Sequence, residues 1–341
     1  MMGNISQSNY AQPGTHLDNY FYGRGKLLIT GEYFVLDGAK ALALPTNMGQ
    51  SMSVRFSPSF SPALHWKSFD YNGDLWFESC FEFWRFNTME ETPNETAVFL
   101  QKILRQARKQ NVHFLRDEVD VFVETRLGFP LEWGLGSSST LIYNISQWAY
   151  VSPFELLFNT YGGSGYDIAC AQSDSAIIYE KKDCGPQWNS FQFNPAFKDK
   201  LYFVYLGRKQ STLEGIEHYK KNQSAKKEQI VERISTLTDR LVMASDLKDF
   251  NAILTEHEAI VGETISKTPI KEQFFSDYWG GVKSLGAWGG DFALVTSDRS
   301  ADETRQYFKE RGFFTCLGYR ELILQGGMIS NTTHSASPYI H

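Results

Sequence analysis

Residues 133–140 read Trp-Gly-Leu-Gly-Ser-Ser-Ser-Thr. Two glycines bracket a leucine, and four small hydroxyl residues follow without interruption. The next stretch, Leu-Ile-Tyr-Asn-Ile-Ser-Gln-Trp-Ala-Tyr (141–150), is apolar enough for a packed helix. One serine suffices to cap a helix, so four hydroxyls exceed what a cap requires. Glycines let backbone approach a ligand closely, and the free N–H groups of a helix start carry partial positive charge. Together they form a phosphate cradle, and hydroxyls add donors or ligate Mg²⁺. A glycine turn with a serine cap would read the same. The Gly-Lys-Ser/Thr ending of a Walker loop is missing.

The chain has 341 residues, 42% hydrophobic and 21% charged, with a net charge of −6. This is the composition of a soluble globular protein of two domains or one large one. The acidic balance gives no footprint for nucleic acid, although a local basic cluster can still bind an anion. Cys80, Cys170, Cys184 and Cys316 lie far apart with no CxxC pair, and the seven histidines are scattered. Free thiols in a reducing cytoplasm are expected, and no zinc site is. No apolar run approaches the roughly 18 residues that would read as a membrane span. The first sixteen residues are polar and read as a loose lead-in.

Residues 20–60 read as β-rich, with Asp37-Gly38 as a hairpin turn. More short strands follow to residue 90. Residues 95–111 have helical spacing, 119–127 alternate as a strand, and Ser152-Pro153 start a short helix. A second unit begins near residue 190: a strand at 201–207, a long helical stretch over 211–265 broken near Leu247, and a glycine-rich turn leading into a strand. A charged helix ending at Gly312 and a last strand over 313–327 close the pattern. The uneven alternation predicts an α+β fold rather than a doubly wound sheet.

Three further segments carry chemistry. In Gly23-Arg24-Gly25-Lys26, a lysine stands beside a glycine turn on an apolar strand. An inward lysine needs an anion, whereas an edge lysine stays in water. Glu32 shares its strand face only if no bulge intervenes. In Gly162-Gly163-Ser164-Gly165-Tyr166-Asp167, glycines surround an aspartate that either takes a hydroxyl proton or caps the next turn. Residues 283–291, Lys-Ser-Leu-Gly-Ala-Trp-Gly-Gly-Asp, permit close backbone approach, as does any tight loop before a strand.

Taken in order, these four motifs resemble the GHMP kinase superfamily over residues 22–325. The resemblance implies a two-domain α+β fold, like ribosomal protein S5 domain 2 over residues 1–190 and ferredoxin-like over 191–341. It implies ATP and Mg²⁺ as cofactors, bound in the cleft between the domains. Gly134, Leu135, Gly136, Ser137, Ser138 and Ser139 would wrap the ATP phosphates, with Ser138 on the metal. Asp167 matches the catalytic aspartate and Lys26 the first-motif lysine. Glu32 and Tyr33, together with Gly286, Ala287 and Gly289 of the third motif, would line the acceptor site.

The wording of residues 25–45 looks most like mevalonate and phosphomevalonate kinases. Gly207 to Thr212 resembles a phosphomevalonate kinase segment, and places Arg208, Lys209 and Ser211 toward an anionic acceptor. Residues 165–169, Gly-Tyr-Asp-Ile-Ala, resemble a bacterial group named for that string. The implied activity is phosphoryl transfer to a small anionic molecule, phosphomevalonate or mevalonate, by a cytoplasmic monomer or homodimer without nucleic-acid or membrane partners. Sugar and homoserine kinases, a diphosphomevalonate decarboxylase-like enzyme and a non-catalytic nucleotide-binding homologue are the alternatives. The chain departs from the family at Arg24, which replaces a proline, and at Trp288, which replaces a glycine and is expected to reshape the cleft. Ser139 and Thr140 replace apolar residues. The family's metal-binding glutamate falls in register with Leu156, so Glu155 would serve only after a shift of one residue.

Overall fold

The computed structural model describes residues 19–116, 119–207, 216, 219–221, 226–286, 288, 291–326 and 333–335. Two sheets organise it. The first takes β1 (Asn19–Leu28), β2 (Ala41–Pro58), β3 (Leu64–Phe69), β4 (Leu75–Phe81), β5 (Val119–Leu127), β6 (Ala176–Lys182) and β7 (Gly185–Phe191). β12 (Thr333–Ser335) joins it from the far end of the chain. The order is β12-β7-β6-β2-β5-β3-β4, with β1 laid along β2. Only β3 and β5 pair in parallel. β2 is the spine: its 18 residues meet β6 through Ala41–Ala43, β1 along the middle and β5 from Gln50 onward.

Helices α1 (Glu95–Gln110), α2 (Ser137–Ala149), α3 (Pro153–Thr160) and α4 (Tyr166–Ala171) follow the first strands. Ala97, Leu100, Ile103, Leu104 and Ala107 form the buried stripe of α1, spaced for one helix face. They join Met52, Val54, Trp66, Ile142, Ile145 and Ile168 in one core. Asn94 caps α1 and Ser152 caps α3, each accepting a backbone N–H three residues on.

The second sheet has the order β11-β8-β10-β9, from β8 (Leu201–Tyr205), β9 (Val282–Ser284), β10 (Phe292–Thr296) and β11 (Cys316–Gly318). Its adjacent strands are all antiparallel. α5 (Lys227–Met243), α6 (Leu247–Ile265) and α7 (Ile270–Phe274) lie between β8 and β9, and α8 (Ala301–Glu310) between β10 and β11. Strand–helix–strand–strand–helix–strand in this order is the ferredoxin-like arrangement. The chain is thus α+β. No described helix is long and apolar enough to cross a membrane. All four cysteines are free thiols.

Two readings of the sequence are corrected. The Asp37-Gly38 step does not close a two-residue hairpin; β1 ends at Leu28 and β2 begins at Ala41. A short 3₁₀ turn, Phe34–Asp37, fills the connection, and Gly38 ends it at φ +90°. The break expected near Leu247 is borne out: α5 ends at Met243, and Asp246 caps α6. The last strand is short, because Tyr319–Leu322 coil into a final helical turn, α9, directly after Gly318.

Candidate active site

Lys26 is aimed by a bulge. The β1–β2 register slips between Arg24 and Lys26, leaving Gly25 unpaired. A Cβ on Gly25 would sit 2.5 Å from Thr46 Oγ1 and 2.9 Å from the Met48 carbonyl, so only glycine fits. The Lys26 N–H donates to the Leu135 carbonyl at 2.9 Å, and its Nζ donates to the Gly134 carbonyl at 2.9 Å. Lys26 therefore holds residues 134–136 from below. The length of the strand settles the face question: β1 ends at Leu28, so Glu32 lies beyond it.

Residues 134–136 turn on two left-handed glycines, Gly134 at φ +64° and Gly136 at φ +94°. α2 then starts at Ser137 with no side-chain cap. Its hydroxyls divide into two pairs. Ser139 Oγ donates to the Gly136 carbonyl at 2.9 Å, and Thr140 Oγ1 reaches Gln50 Oε1 at 2.8 Å. Asn144 Nδ2 donates to the Gln50 carbonyl, completing a buried polar seam between α2 and β2. The Ser137 and Ser138 side chains are half-buried and have no hydrogen-bond partner among the described residues. Free hydroxyls and free N–H groups at the start of a 13-residue helix form an anion cradle.

Asp167 enters from α4. Gly165 precedes it at φ +94°, where a Cβ would meet Tyr179 Oη at 3.0 Å and Phe154 at 3.2 Å. The Tyr179 hydroxyl donates to the Ser164 carbonyl and braces this turn. Asp167 Oδ1 accepts the Ile168 N–H at 3.0 Å. Burial raises the Asp167 carboxyl above the usual aspartate range, and the Lys26 ammonium offsets this only in part. Burial disfavours the Lys26 charge, but Tyr166, Asp167 and Asp291 together outweigh it and hold its pKa up. Lys26 is therefore an ammonium ion. Its Nζ lies 5.8 Å from the centre of the Tyr166 ring.

Tyr166 and Asp291 were not assigned roles from the sequence. Asp291 stands at the entry to β10 with its carboxylate against Gly134: a Cβ there would fall 1.9 Å from Asp291 Oδ2. This is a contact between the second sheet and the phosphate loop. A carboxylate closing the third glycine-rich segment was the signal available in the sequence.

Other expected site residues fall elsewhere. Glu32 is 1% exposed, and its carboxylate is ion-paired with Lys283. Tyr33, at φ 61°, is buried and stacks on Tyr219 with ring centres 5.7 Å apart. Burial pushes its hydroxyl up to about 12. Trp288 does not line the cleft; its ring packs against Gly262 in a cluster with Tyr33, Phe34, Val261 and Ile265. Gly286 turns at φ +65° with open space around it. Arg208, Lys209, Ser211, Ala287 and Gly289 lie outside the described residues.

The expected metal carboxylate lies at the surface. Glu155 is exposed on α3 and has no ion pair among the described residues, while Leu156 is fully buried in the first core. The helical period dictates this, since Phe154 and Leu157 share the buried face with Leu156. No described group of three or more acidic, histidine or cysteine residues could hold a metal. Mg²⁺ fits here only as an ion brought by nucleotide phosphates, with the free Ser138 hydroxyl within the cradle to meet it.

No family model and no curated protein matches this chain. Solved structures do. The L. major mevalonate kinase in complex with R-mevalonate superposes with a TM-score of 0.61 at 15% identity, covering 95% of this chain and 97% of that one. The Streptococcus pneumoniae phosphomevalonate kinase, in complex with phosphomevalonate and AMPPNP, gives 0.59 at 17% identity over 88% and 99%. The Lactococcus lactis galactokinase complexed with galactose gives 0.60 at 12% identity over 91% and 94%. Kinases of different acceptors thus share one architecture with this chain, and that architecture is the GHMP kinase fold.

Proposed function

We propose that this protein is an ATP-dependent kinase that transfers the γ-phosphoryl group to a small anionic acceptor, phosphomevalonate or mevalonate, in isoprenoid precursor synthesis. One observation carries the reading: Lys26 Nζ donates to the Gly134 carbonyl at 2.9 Å beside a helix start without a side-chain cap, whose Ser137 and Ser138 hydroxyls have no hydrogen-bond partner among the described residues. Phosphoryl transfer asks mainly for in-line placement and charge neutralisation. The N–H groups at residues 136–138 and the Ser137 and Ser138 hydroxyls would bind the phosphates. The Lys26 ammonium would offset charge developing on the transferred group. Asp167 would orient the acceptor hydroxyl and take its proton. Mg²⁺ bound with ATP would supply further charge neutralisation on the phosphate oxygens.

The acceptor assignment rests on the wording of residues 25–45 and on the charged segment 208–212. We read residues 1–190 and 191–341 as the two domains, and the free thiols as fitting a cytoplasmic enzyme. ADP release against mevalonate, phosphomevalonate, diphosphomevalonate, homoserine and sugars tests the assignment. Turnover on either mevalonate compound, and on none of the others, is the expected result. The exposure of Glu155 favours a second reading, a nucleotide-binding homologue without catalysis. ATP binding by calorimetry with no turnover on the whole panel would establish it.

A further inference from the structure

A cluster of fully buried polar groups lies where the two sheets' layers meet. Glu32, from the turn after β1, is ion-paired with Lys283 of β9, and both are at most 1% exposed. Lys283 Nζ also donates to the Ser284 carbonyl at 2.9 Å. The Ser284 N–H and hydroxyl donate to Glu258 Oε1 of α6 at 3.1 and 2.9 Å. The Gly31 N–H donates to His257 Nε2 at 3.0 Å. Accepting that bond leaves the ring proton on Nδ1, and burial together with Lys283 keeps the imidazole neutral. Thr30 Oγ1 is held by Thr238 of α5 at 2.8 Å. Residues 30–32 are thus gripped from α5, α6 and β9.

This cluster is costly as mere glue. Buried ion pairs seldom stabilise more than apolar residues of like volume. Among the described residues Glu32 Oε2, His257 Nδ1 and Glu258 Oε2 also have no hydrogen-bond partner, although Glu32 Oε2 lies 3.6 Å from His257 Nε2. Its placement gives it a use. Lys283 is opposite Leu294 in the β9–β10 hairpin. The Leu285 N–H to Phe292 carbonyl bond, 3.0 Å, closes the hairpin above it. Beyond that bond stand Trp288, packed beside Tyr33, and Asp291, packed on Gly134. A shift of Lys283 relative to Glu32 would move Asp291 against the phosphate loop.

We propose that the Lys283–Glu32 pair is a positioning device that sets the β9–β10 hairpin tip against the phosphate loop of the same site. It rests on the kinase reading for its kinetic consequence, but not for its structural one. The test pairs Glu32→Leu with Lys283→Met. Each single change leaves a buried charge unpaired and should lower Tm, while the double change should recover it. The double variant, folded and binding ATP as the wild type does by calorimetry, should still lose kcat by tenfold or more, since small misplacements cost up to roughly 10²-fold.

Hydrogen exchange of the peptide carrying Leu285, Trp288 and Asp291 should rise in the same variant. Recovery of Tm with wild-type exchange would overturn the proposal. Raised exchange in a protein whose wild type turns over no acceptor would leave the positioning intact and sink the kinase reading. Where the double variant fails to fold, Glu32→Asp keeps the charge and shortens the reach. Raised exchange of that peptide in the folded Glu32→Asp protein supports the device, and wild-type exchange with wild-type kcat overturns it.

Discussion

At the scale of single residues, the site divides into groups spent on the fold and groups left for a ligand. Ser139 and Thr140 are spent: their hydroxyls satisfy the Gly136 carbonyl and Gln50. Ser139→Ala should therefore leave Mg²⁺ dependence and turnover unchanged, whereas Ser138→Ala should raise the Mg²⁺ needed for half-maximal rate. Titrating Mg²⁺ in both variants checks this, and equal behaviour would count against Ser138. Asp167 is the group proposed for proton transfer. Asp167→Asn should lower kcat by about 10² or more, the usual cost of a lost general base. Its raised pKa also means that the wild-type rate should fall on the acid side at a pH above the ordinary aspartate value of 3.8. A pH profile flat through that range would argue against Asp167 as the base.

At the scale of elements, turns matter more than helices. The phosphate loop is tight because Gly134 must admit Asp291. Gly134→Ala would meet both the positive φ and the Asp291 carboxylate, so ATP affinity by calorimetry should fall about tenfold or more. Wild-type affinity would show that the Asp291 side chain simply swings away. On α3 the opposite holds. Glu155→Gln should change neither Tm nor metal dependence, because Glu155 is exposed. Loss of metal-dependent turnover in that variant would restore it as a ligand.

For the whole molecule, the buried seam sets a pH dependence. Burial pushes the Glu258 carboxyl up to about 7 from an ordinary 4.5. Between those values the folded chain keeps a proton that the unfolded chain has released, so stability falls as pH rises through this interval and levels off above it. Asp167, also raised by burial, adds to the fall with the same sign. Glu258→Gln should flatten the slope of Tm against pH between about 5 and about 7. An unchanged slope would mean that Glu258 is ionised throughout.

By itself the sequence determined the α+β class, the helix start at Ser152-Pro153, the glycine turn at residues 134–136 and the placing of Lys26 beside a glycine on an apolar strand. These follow from short-range physics: apolar period, cap residues, and glycines where φ must be positive. Only the tertiary structure decided the rest. It paired Glu32 with Lys283, turned Glu155 to solvent, buried Trp288 and brought Asp291 onto Gly134. One clue was legible in hindsight. Phe250, Ile253, Leu254, Val261 and Ile265 mark the buried stripe of α6, and His257 and Glu258 fall within it. A titratable pair in an apolar stripe signals a buried partner, but the partner lies 226 residues away in one case and 26 in the other. Pairings over such separations depend on how the sheets pack, and local pattern carries no information about that.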